Sequence, residues 1–474
     1  MKNKAKILLL HLPQNINDVS DYASLLQPYG LAMISSILKQ DGCDVTLLDA
    51  FAHQKKKQDI IEYVKNVEPD ILGITVMTHN VGQTVRFLSD IKKILPKTIT
   101  VLGGIHASIE YQSLLRNHPD VDIAVIGEGE LTMLDLVDKI QNEQPLNDVK
   151  GIAYREQGEI RINTMRENIK DLDSLPFADW ESLPMHKYWD RWTIKKNYAC
   201  LIVSRGCPFS CTFCGHSIIG KTYRAKSSDK VLEEVKLLYD KHHVRNLTLA
   251  DSTLNVSNKW LREVCEGLIK LKRPIKWGCS IRADHVDKET LQLMKKSGCV
   301  KIFLGVESAD NKMLKSMKKN ESIEKINEGI QMIKEVGLTP DLGFIIGMPG
   351  ETKESIMKTI EFARTFNKSV CSFTYATPYP GTELYETAKK EGFVVDDWSK
   401  HNTYTLAYVP KGFTKKELQH YFELAVKSTY IRIPFLLTQL VNVRSFTNFM
   451  VNAKFAYRLF FKTISKNKKA FYKS

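Results

Sequence analysis

The sequence predicts an α/β protein with two parallel layers in succession: an open, doubly wound sheet and then a partial barrel of βα units. Two observations carry this. Apolar strand-like runs alternate with amphipathic helical runs twice along the chain. A stretch rich in Asp, Ser and Pro interrupts the alternation between the two series. The length, 474 residues with 43% hydrophobic ones, leaves room for more than one core.

Residues 1–145 make the first unit. Its strands read Ile7–Leu10, Val45–Asp49, Ile71–Val76, Ile99–Leu102 and Ile123–Ile126, with amphipathic stretches such as Gly30–Gln40 and Val81–Ile94 between them. This spacing gives a Rossmann-like sheet, whose ligands sit at the carboxyl ends of the strands. Those ends carry Thr75-Val76-Met77-Thr78, Gly103-Gly104-Ile105-His106 and Gly127-Glu128-Gly129-Glu130. No G-x-G-x-x-G follows the first strand, which weakens a dinucleotide reading. The paired glycines let a bulky ligand approach the backbone.

Residues 146–195 read as a linker. It contains a hairpin, Ile152–Tyr154 and Glu159–Ile162, turning at Gln157-Gly158.

Residues 196–395 repeat the alternation. Strands are expected at Cys200–Ser204, Asn246–Ala250, Ile275–Ser280, Val300–Gly305, Asp341–Ile346 and Cys371–Ala376. Helices are expected at Asp229–His242, Asn258–Leu271, Lys288–Lys296, Ile323–Val336 and Lys353–Phe366. Six βα steps in series predict a partial, TIM-like (β/α)6 barrel.

Residues 396–474 read as a small, basic, mainly helical segment. From Lys411 onward thirteen cations face two acids, Glu417 and Glu423, so the net charge of +14 is concentrated there. A basic end suits an anionic partner. Between Tyr430 and Ile464 aromatic and aliphatic residues interleave with single cations. Such a segment can lie peripherally on an anionic membrane, or pack on the barrel with its lysines solvated. No nucleic-acid module accompanies the charge, and nucleic acid is not expected as a partner. No apolar run approaches the ~18 residues of a membrane span. The apolar stretch Ile7–Leu10 is too short for a signal-peptide core, so the expected compartment is the cytoplasm.

Nine cysteines, an odd number, speak for metal binding or burial rather than a disulfide framework. Three of them form Cys207-Pro-Phe-Ser-Cys211-Thr-Phe-Cys214, directly after the first strand of the barrel. Three thiolates can hold three irons of a cubane and leave the fourth iron open to a chelating ligand. An electron-carrying cluster normally takes four cysteines. The competing reading is zinc with a distant fourth ligand such as His216, but zinc sites pair C-x2-C knuckles rather than using C-x3-C-x2-C.

With an aromatic residue, Phe213, just before the third cysteine, this loop resembles the signature of the radical S-adenosylmethionine (SAM) superfamily. The similarity continues through Ser280-Ile281-Arg282-Ala283-Asp284, Gly305-Val306-Glu307-Ser308, Gly347-Met348-Pro349-Gly350-Glu351 and Pro378-Tyr379-Pro380-Gly381-Thr382. It implies a 4Fe–4S cluster on Cys207, Cys211 and Cys214, with SAM chelated to the open iron. It also implies SAM contacts from Phe213, Ser280, Arg282, Glu307 and Gly347, and an external one-electron donor such as flavodoxin or ferredoxin. The carboxylate, ribose diol and sulfonium of SAM suit an Arg and a Glu at neighbouring strand ends. Where many such enzymes carry Gly-Gly-Glu after the second strand, this chain has Ala250-Asp251-Ser252-Thr253.

Placed before such a barrel, the first unit resembles the cobalamin-binding domain of cobalamin-dependent radical SAM enzymes. Pro28-Tyr29-Gly30-Leu31, Val101-Leu102-Gly103-Gly104 and Gly127-Glu128-Gly129-Glu130 carry that resemblance. It implies cobalamin at Thr75, Met77, Gly103 and Gly104. The D-x-H-x-x-G motif that gives cobalt a histidine is absent, as is common in the radical subfamily. The implied activity is a methyltransferase that passes a methyl group through methylcobalamin to an unactivated carbon (or phosphorus) of a small molecule or lipid. One alternative is a radical oxidative cyclase or other non-methylating radical enzyme. Another is an iron–sulfur electron-transfer or binding protein without radical chemistry. A methylthiotransferase fits less well, because only Cys43 precedes the linker. No residue is singled out as catalytic.

Overall fold

The strands of the first series are apolar on both faces, as strands covered by helices on two sides must be. The computed structural model describes residues 5–15, 24–190, 192–193, 197–215, 220–433 and 435. In it β1 (Lys6–His11), β2 (Asp44–Asp49), β3 (Ile71–Thr75), β4 (Ile99–Gly103) and β5 (Ile123–Val125) run parallel in the order β2-β1-β3-β4-β5. The connecting helices are α1 (Tyr29–Gln40), α2 (Lys57–Val67), α3 (Val81–Ile94), α4 (Ile105–Asn117) and α5 (Glu130–Gln141). Their apolar stripes put α1 and α5 on one face and α2, α3 and α4 on the other. The strand order reverses between β1 and β3, where a doubly wound sheet opens a crevice at its carboxyl edge.

The hairpin expected in the linker is present as β6 (Ile152–Glu156) and β7 (Glu159–Ile162), but it does not stand alone. Strand β6 pairs antiparallel with β5, Ile123 opposite Tyr154 and Val125 opposite Ile152, which extends the first sheet to seven strands. Burial of Ile152, Ala153 and Tyr154 drives this docking. The new edge, Glu159–Ile162, is largely exposed and charged, which discourages further pairing.

The second series follows as β8 (Tyr198–Leu201), β9 (Ser204–Arg205), β10 (Arg224–Ala225), β11 (Asn246–Leu249), β12 (Lys276–Ile281), β13 (Cys299–Glu307), β14 (Pro340–Ile346) and β15 (Cys371–Tyr375). Strands β8, β11, β12, β13, β14 and β15 lie side by side in that order, all parallel, as an open six-stranded sheet. Strands β9 and β10 form a small antiparallel ribbon. The outer helices are α6 (Ser228–Asp240), α7 (Asn258–Lys270), α8 (Lys288–Lys296), α9 (Asn311–Ser316), α10 (Ile323–Glu335) and α11 (Lys353–Arg364). Side-chain caps set where these helices begin: Ser227, Ser257, Asp287, Asp310, Ser322 and Thr352 each accept a backbone N–H of the first turn.

The partial barrel has two edges, and both are covered. At β8 the Gln27 amide replaces a neighbouring strand, donating to Tyr198 O at 2.7 Å and accepting from Cys200 N–H at 2.9 Å. After α12 (Glu383–Glu391), α13 (Lys415–Tyr430) packs on β15, where Phe422 stacks on Tyr375 at 4.1 Å between ring centroids. Between these helices the chain returns to the first unit. Trp398 meets His106 edge-on at 5.6 Å and packs against the core beneath α2, α3 and α4. Another core is continuous, running from Ile7 and Leu9 through Trp180 and Tyr198 into the barrel at Leu342 and Phe344.

Among the described residues no helix is long and apolar enough to cross a membrane. The aromatic and lysine-rich stretch beyond Phe435 lies outside the described residues, as does His216.

Candidate functional site

Both parallel sheets present their carboxyl edges to one cavity of about 300 Å³. Thr75, Gly103, Gly104 and the turn Gly127–Glu130 line it from the first sheet, and Tyr29 and Gly30 from the start of α1. Ser204, Arg205, Gly206, Ala250, Asp251 and Ser252 line it from the barrel side. Much of its wall is bare backbone. A Cβ at Gly30 or Gly127 would meet nothing within 4 Å. At Gly104 the reason for glycine is different: φ is +93°, and a Cβ would lie 2.7 Å from Thr75 Oγ1 and 2.8 Å from Val76 O. Met77 does not line the cavity. It starts a short turn, is 50% exposed, and donates its N–H to Asn80 Oδ1 at 2.9 Å. No histidine is among the described lining residues.

The Gly127–Glu130 turn also fastens the two halves together. Glu128 meets Arg224 at 2.8 Å and Arg205 at 3.3 Å, and Arg205 also binds Glu130. Burial works against the Glu128 charge, yet Arg224 and Arg205 hold its carboxyl below the ordinary range. A second buried link joins Lys226 to Glu234 at 2.6 Å and to the Tyr29 hydroxyl at 3.0 Å. Trp180 Nε1 donates to the same Glu234 at 3.1 Å. Asp251 accepts the Val203 N–H at 2.9 Å and the Ser204 hydroxyl at 2.5 Å, and burial pushes it up to about 6. It therefore braces the turn leading into the cysteine loop.

That loop is pinned at several points. Cys207 N–H donates to Gly220 O at 3.3 Å, Thr212 N–H to Met317 O at 3.0 Å, and Leu384 N–H to Thr212 O at 2.9 Å. None of the cysteines is in a disulfide. Phe213 packs against the small core of Met313, Met317, Met348 and Leu384. Burial pushes the Cys211 thiol up to about 11, opposed by the charges of Lys319 and Arg282. Among the described residues no three His, Cys, Asp or Glu side chains converge as ligands of one ion. A cubane does not require it, since each cysteine takes a different iron.

The strand-end residues gather beside this loop. Glu307 has φ of +67°, and Lys319 approaches its carboxylate at 3.5 Å. That carboxylate folds back over Gly305, where a Cβ would lie 2.2 Å from Glu307 Oε1. Glu321 lies 3.2 Å from Lys319 and 3.5 Å from Arg282. Ser280 is half-buried near the end of β12. Gly347 is buried against Leu418 of α13, and its N–H and that of Met348 both donate to Glu351. Lys319 and Glu321 carry no motif, and only the fold brings them here. Arg205 stands two residues before Cys207, a position that could have flagged it.

The radical SAM superfamily model matches residues 201–363, and the B12 binding domain model matches residues 18–137. The chain is 30% identical over 424 residues to an uncharacterized methyltransferase of Pyrococcus horikoshii, across 88% of this chain and 91% of that one. It belongs to the cobalamin-dependent radical SAM family. Its cofactors are a 4Fe–4S cluster, SAM and cobalamin, and it is an enzyme. Another relative in this family, the anaerobic magnesium-protoporphyrin IX monomethyl ester cyclase of Rubrivivax gelatinosus, is 30% identical over 91% of this chain and 79% of its own. The fold is similar to that of the cobalamin-dependent S-adenosylmethionine radical enzyme OxsB, solved with aqua-cobalamin and S-adenosylmethionine bound. The TM-score is 0.74, with 18% identity over 96% of this chain and 71% of that one.

The residues present fit this family's cofactors. The backbone wall at Gly30, Gly103 and Gly127 admits a flat, bulky corrinoid. The Cys211 thiol has Lys319 and Arg282 beside it, which suits an anionic cluster–thiolate assembly on this loop.

Proposed function

We propose that this enzyme transfers a methyl group from SAM, by way of cobalamin, to an unactivated carbon of a small-molecule substrate. The observation that carries the reading is the shared cavity at which the carboxyl edges of both sheets meet. When bound, the cluster with SAM supplies radical hydrogen abstraction, and cobalamin supplies a transferable methyl group. The chain's own residues hold, orient and enclose. Cys207, Cys211 and Cys214 bind three irons from a loop pinned by Met317 and Leu384. Glu307, with Ser280, Phe213 and the Gly347 turn, forms the SAM side. Thr75, Gly103 and Gly104 form the corrinoid side. Met77, turned out of the cavity, is left without a role there.

The electron comes from an external one-electron donor of the flavodoxin or ferredoxin kind. The basic, aromatic-rich C-terminal sequence favours a lipid-like substrate and a cytoplasmic protein in peripheral contact with an anionic membrane.

A second reading, radical cyclisation without methyl transfer, is supported by the resemblance to the Rubrivivax cyclase. Turnover with methyl-deuterated SAM separates the two. Methyl transfer yields S-adenosylhomocysteine together with 5′-deoxyadenosine, and label in the product. Cyclisation yields 5′-deoxyadenosine without S-adenosylhomocysteine and an unlabelled product.

A further inference from the structure

Arg282 resembles a SAM-binding arginine, yet Nε and Nη2 of its guanidinium are already engaged. Nε donates to Asp284 Oδ1 at 3.0 Å, and Nη2 donates to Asp284 Oδ2 at 2.9 Å and to Lys319 O at 3.1 Å. Its flat face is also used. The guanidinium carbon lies 3.8 Å from the ring centroid of Phe209, which sits midway between Cys207 and Cys211. On the same ring, His285 stands edge-on at 5.5 Å. The arginine backbone is bracketed in turn by Asn255, which donates to Arg282 O and accepts from Arg282 N–H, both at 2.9 Å. A continuous relay therefore runs from Asn255 after β11, through Arg282 after β12, to the middle of the cysteine loop.

We propose that Arg282 is a positioning residue for the iron–sulfur loop, stacking on Phe209 to fix Cys207 and Cys211 and keeping a buried cation beside the cluster they hold. The inference rests on the reading of the three cysteines as cluster ligands. A planar guanidinium can stack on a ring while its edge binds a carboxylate in two places. A lysine ammonium cannot do both. The side chain is only 5% exposed, so water does not screen its charge. Without that charge, Asp284 and Glu321 are left less compensated beside an anionic cluster, which makes a further electron harder to add.

The test uses the full chain, reconstituted anaerobically with iron, sulfide and cobalamin, as wild type, Phe209→Leu, Phe209→Tyr, Arg282→Lys, Arg282→Met and the double variant of Phe209→Leu with Arg282→Lys. The readouts are the rate of iron loss to a chelator and the EPR spectrum and midpoint potential of the reduced cluster, each taken first without SAM and then with it. Cobalamin retention reports an intact fold. Phe209→Leu and Arg282→Lys should each lose iron several-fold faster than wild type, and the double variant no faster than either. Phe209→Tyr, which keeps the ring, should restore the wild-type rate. Arg282→Met should also lower the midpoint potential. Wild-type iron retention and spectrum in Phe209→Leu, with Arg282→Lys affected only once SAM is present, would overturn the proposal and return Arg282 to the cofactor. A wild-type chain that takes up no cluster overturns the cysteine reading itself.

Discussion

Arg205 and Glu128 meet 3.3 Å apart across the boundary between the two sheets, and both line the shared cavity. Their side chains are 17% and 7% exposed, so the pair is largely desolvated. Removing one member of such a pair leaves the other buried and less compensated, at a cost of about 3–5 kcal/mol. Arg205→Met should fall near the lower end, because Arg224 still holds Glu128 at 2.8 Å. Calorimetry should show a lower Tm, partly recovered when Glu130→Gln is added. An unchanged Tm in Arg205→Met would remove the pair from the forces joining the halves.

Gly30 offers a cleaner probe of the corrinoid wall. It lies in the first turn of α1, and a Cβ there meets nothing. Gly30→Ala should keep or slightly raise stability, by up to about 1 kcal/mol, since alanine is the better helix former. Gly30→Leu would project a side chain into the cavity and should reduce cobalamin retained through gel filtration at least tenfold. Full retention in Gly30→Leu, with normal melting, would move the corrinoid elsewhere.

Replacing Cys207, Cys211 or Cys214 singly with Ala should abolish both the iron–sulfur absorption after reconstitution and 5′-deoxyadenosine formation. Cobalamin binding should survive, because it depends on the other sheet. A triple variant that retained stoichiometric iron and sulfide would disprove the assignment.

Burial pushes the Glu351 carboxyl up to about 8, although the N–H groups of Gly347 and Met348 pull the other way. In the unfolded chain it titrates near its ordinary value of about 4.3. Between these values the folded state holds a proton that the unfolded state has released, so rising pH costs stability across that window. Below it both states are protonated, and above it the loss is complete. Glu351→Gln should leave stability unchanged near pH 4 and become progressively more stable than wild type up to pH 8. A stability difference between the two proteins that stayed constant from pH 4 to pH 8 would show that folding leaves the titration of this carboxyl unshifted.

The sequence patterns were most legible where a segment's structure depends on its own periodicity. Each strand of both parallel sheets, and helices such as Val81–Ile94 and Lys288–Lys296, lie within a few residues of where apolar runs and amphipathic stripes put them. The cysteine loop stands out in the sequence because its three cysteines lie within eight residues of one another. Pairings between distant segments were not. Nothing in Ile152–Glu156 announces that it will extend the first sheet, because strand pairing is decided by the partner. The repeat Gly127-Glu128-Gly129-Glu130 was visible as a motif, but Arg224 is 96 residues away and gives no local sign of binding it. Met77 stood beside Thr75 in sequence, yet one turn of backbone carries it out of the cavity.

Trp398 comes after the barrel in the chain but packs on the core of the first sheet, beside His106. During synthesis, then, the amino-terminal domain leaves the ribosome long before the residue that finishes one of its walls. It reaches its final packing only when the barrel has been made and the chain has doubled back. The first domain expressed alone would therefore leave bare the apolar surface that Trp398 covers.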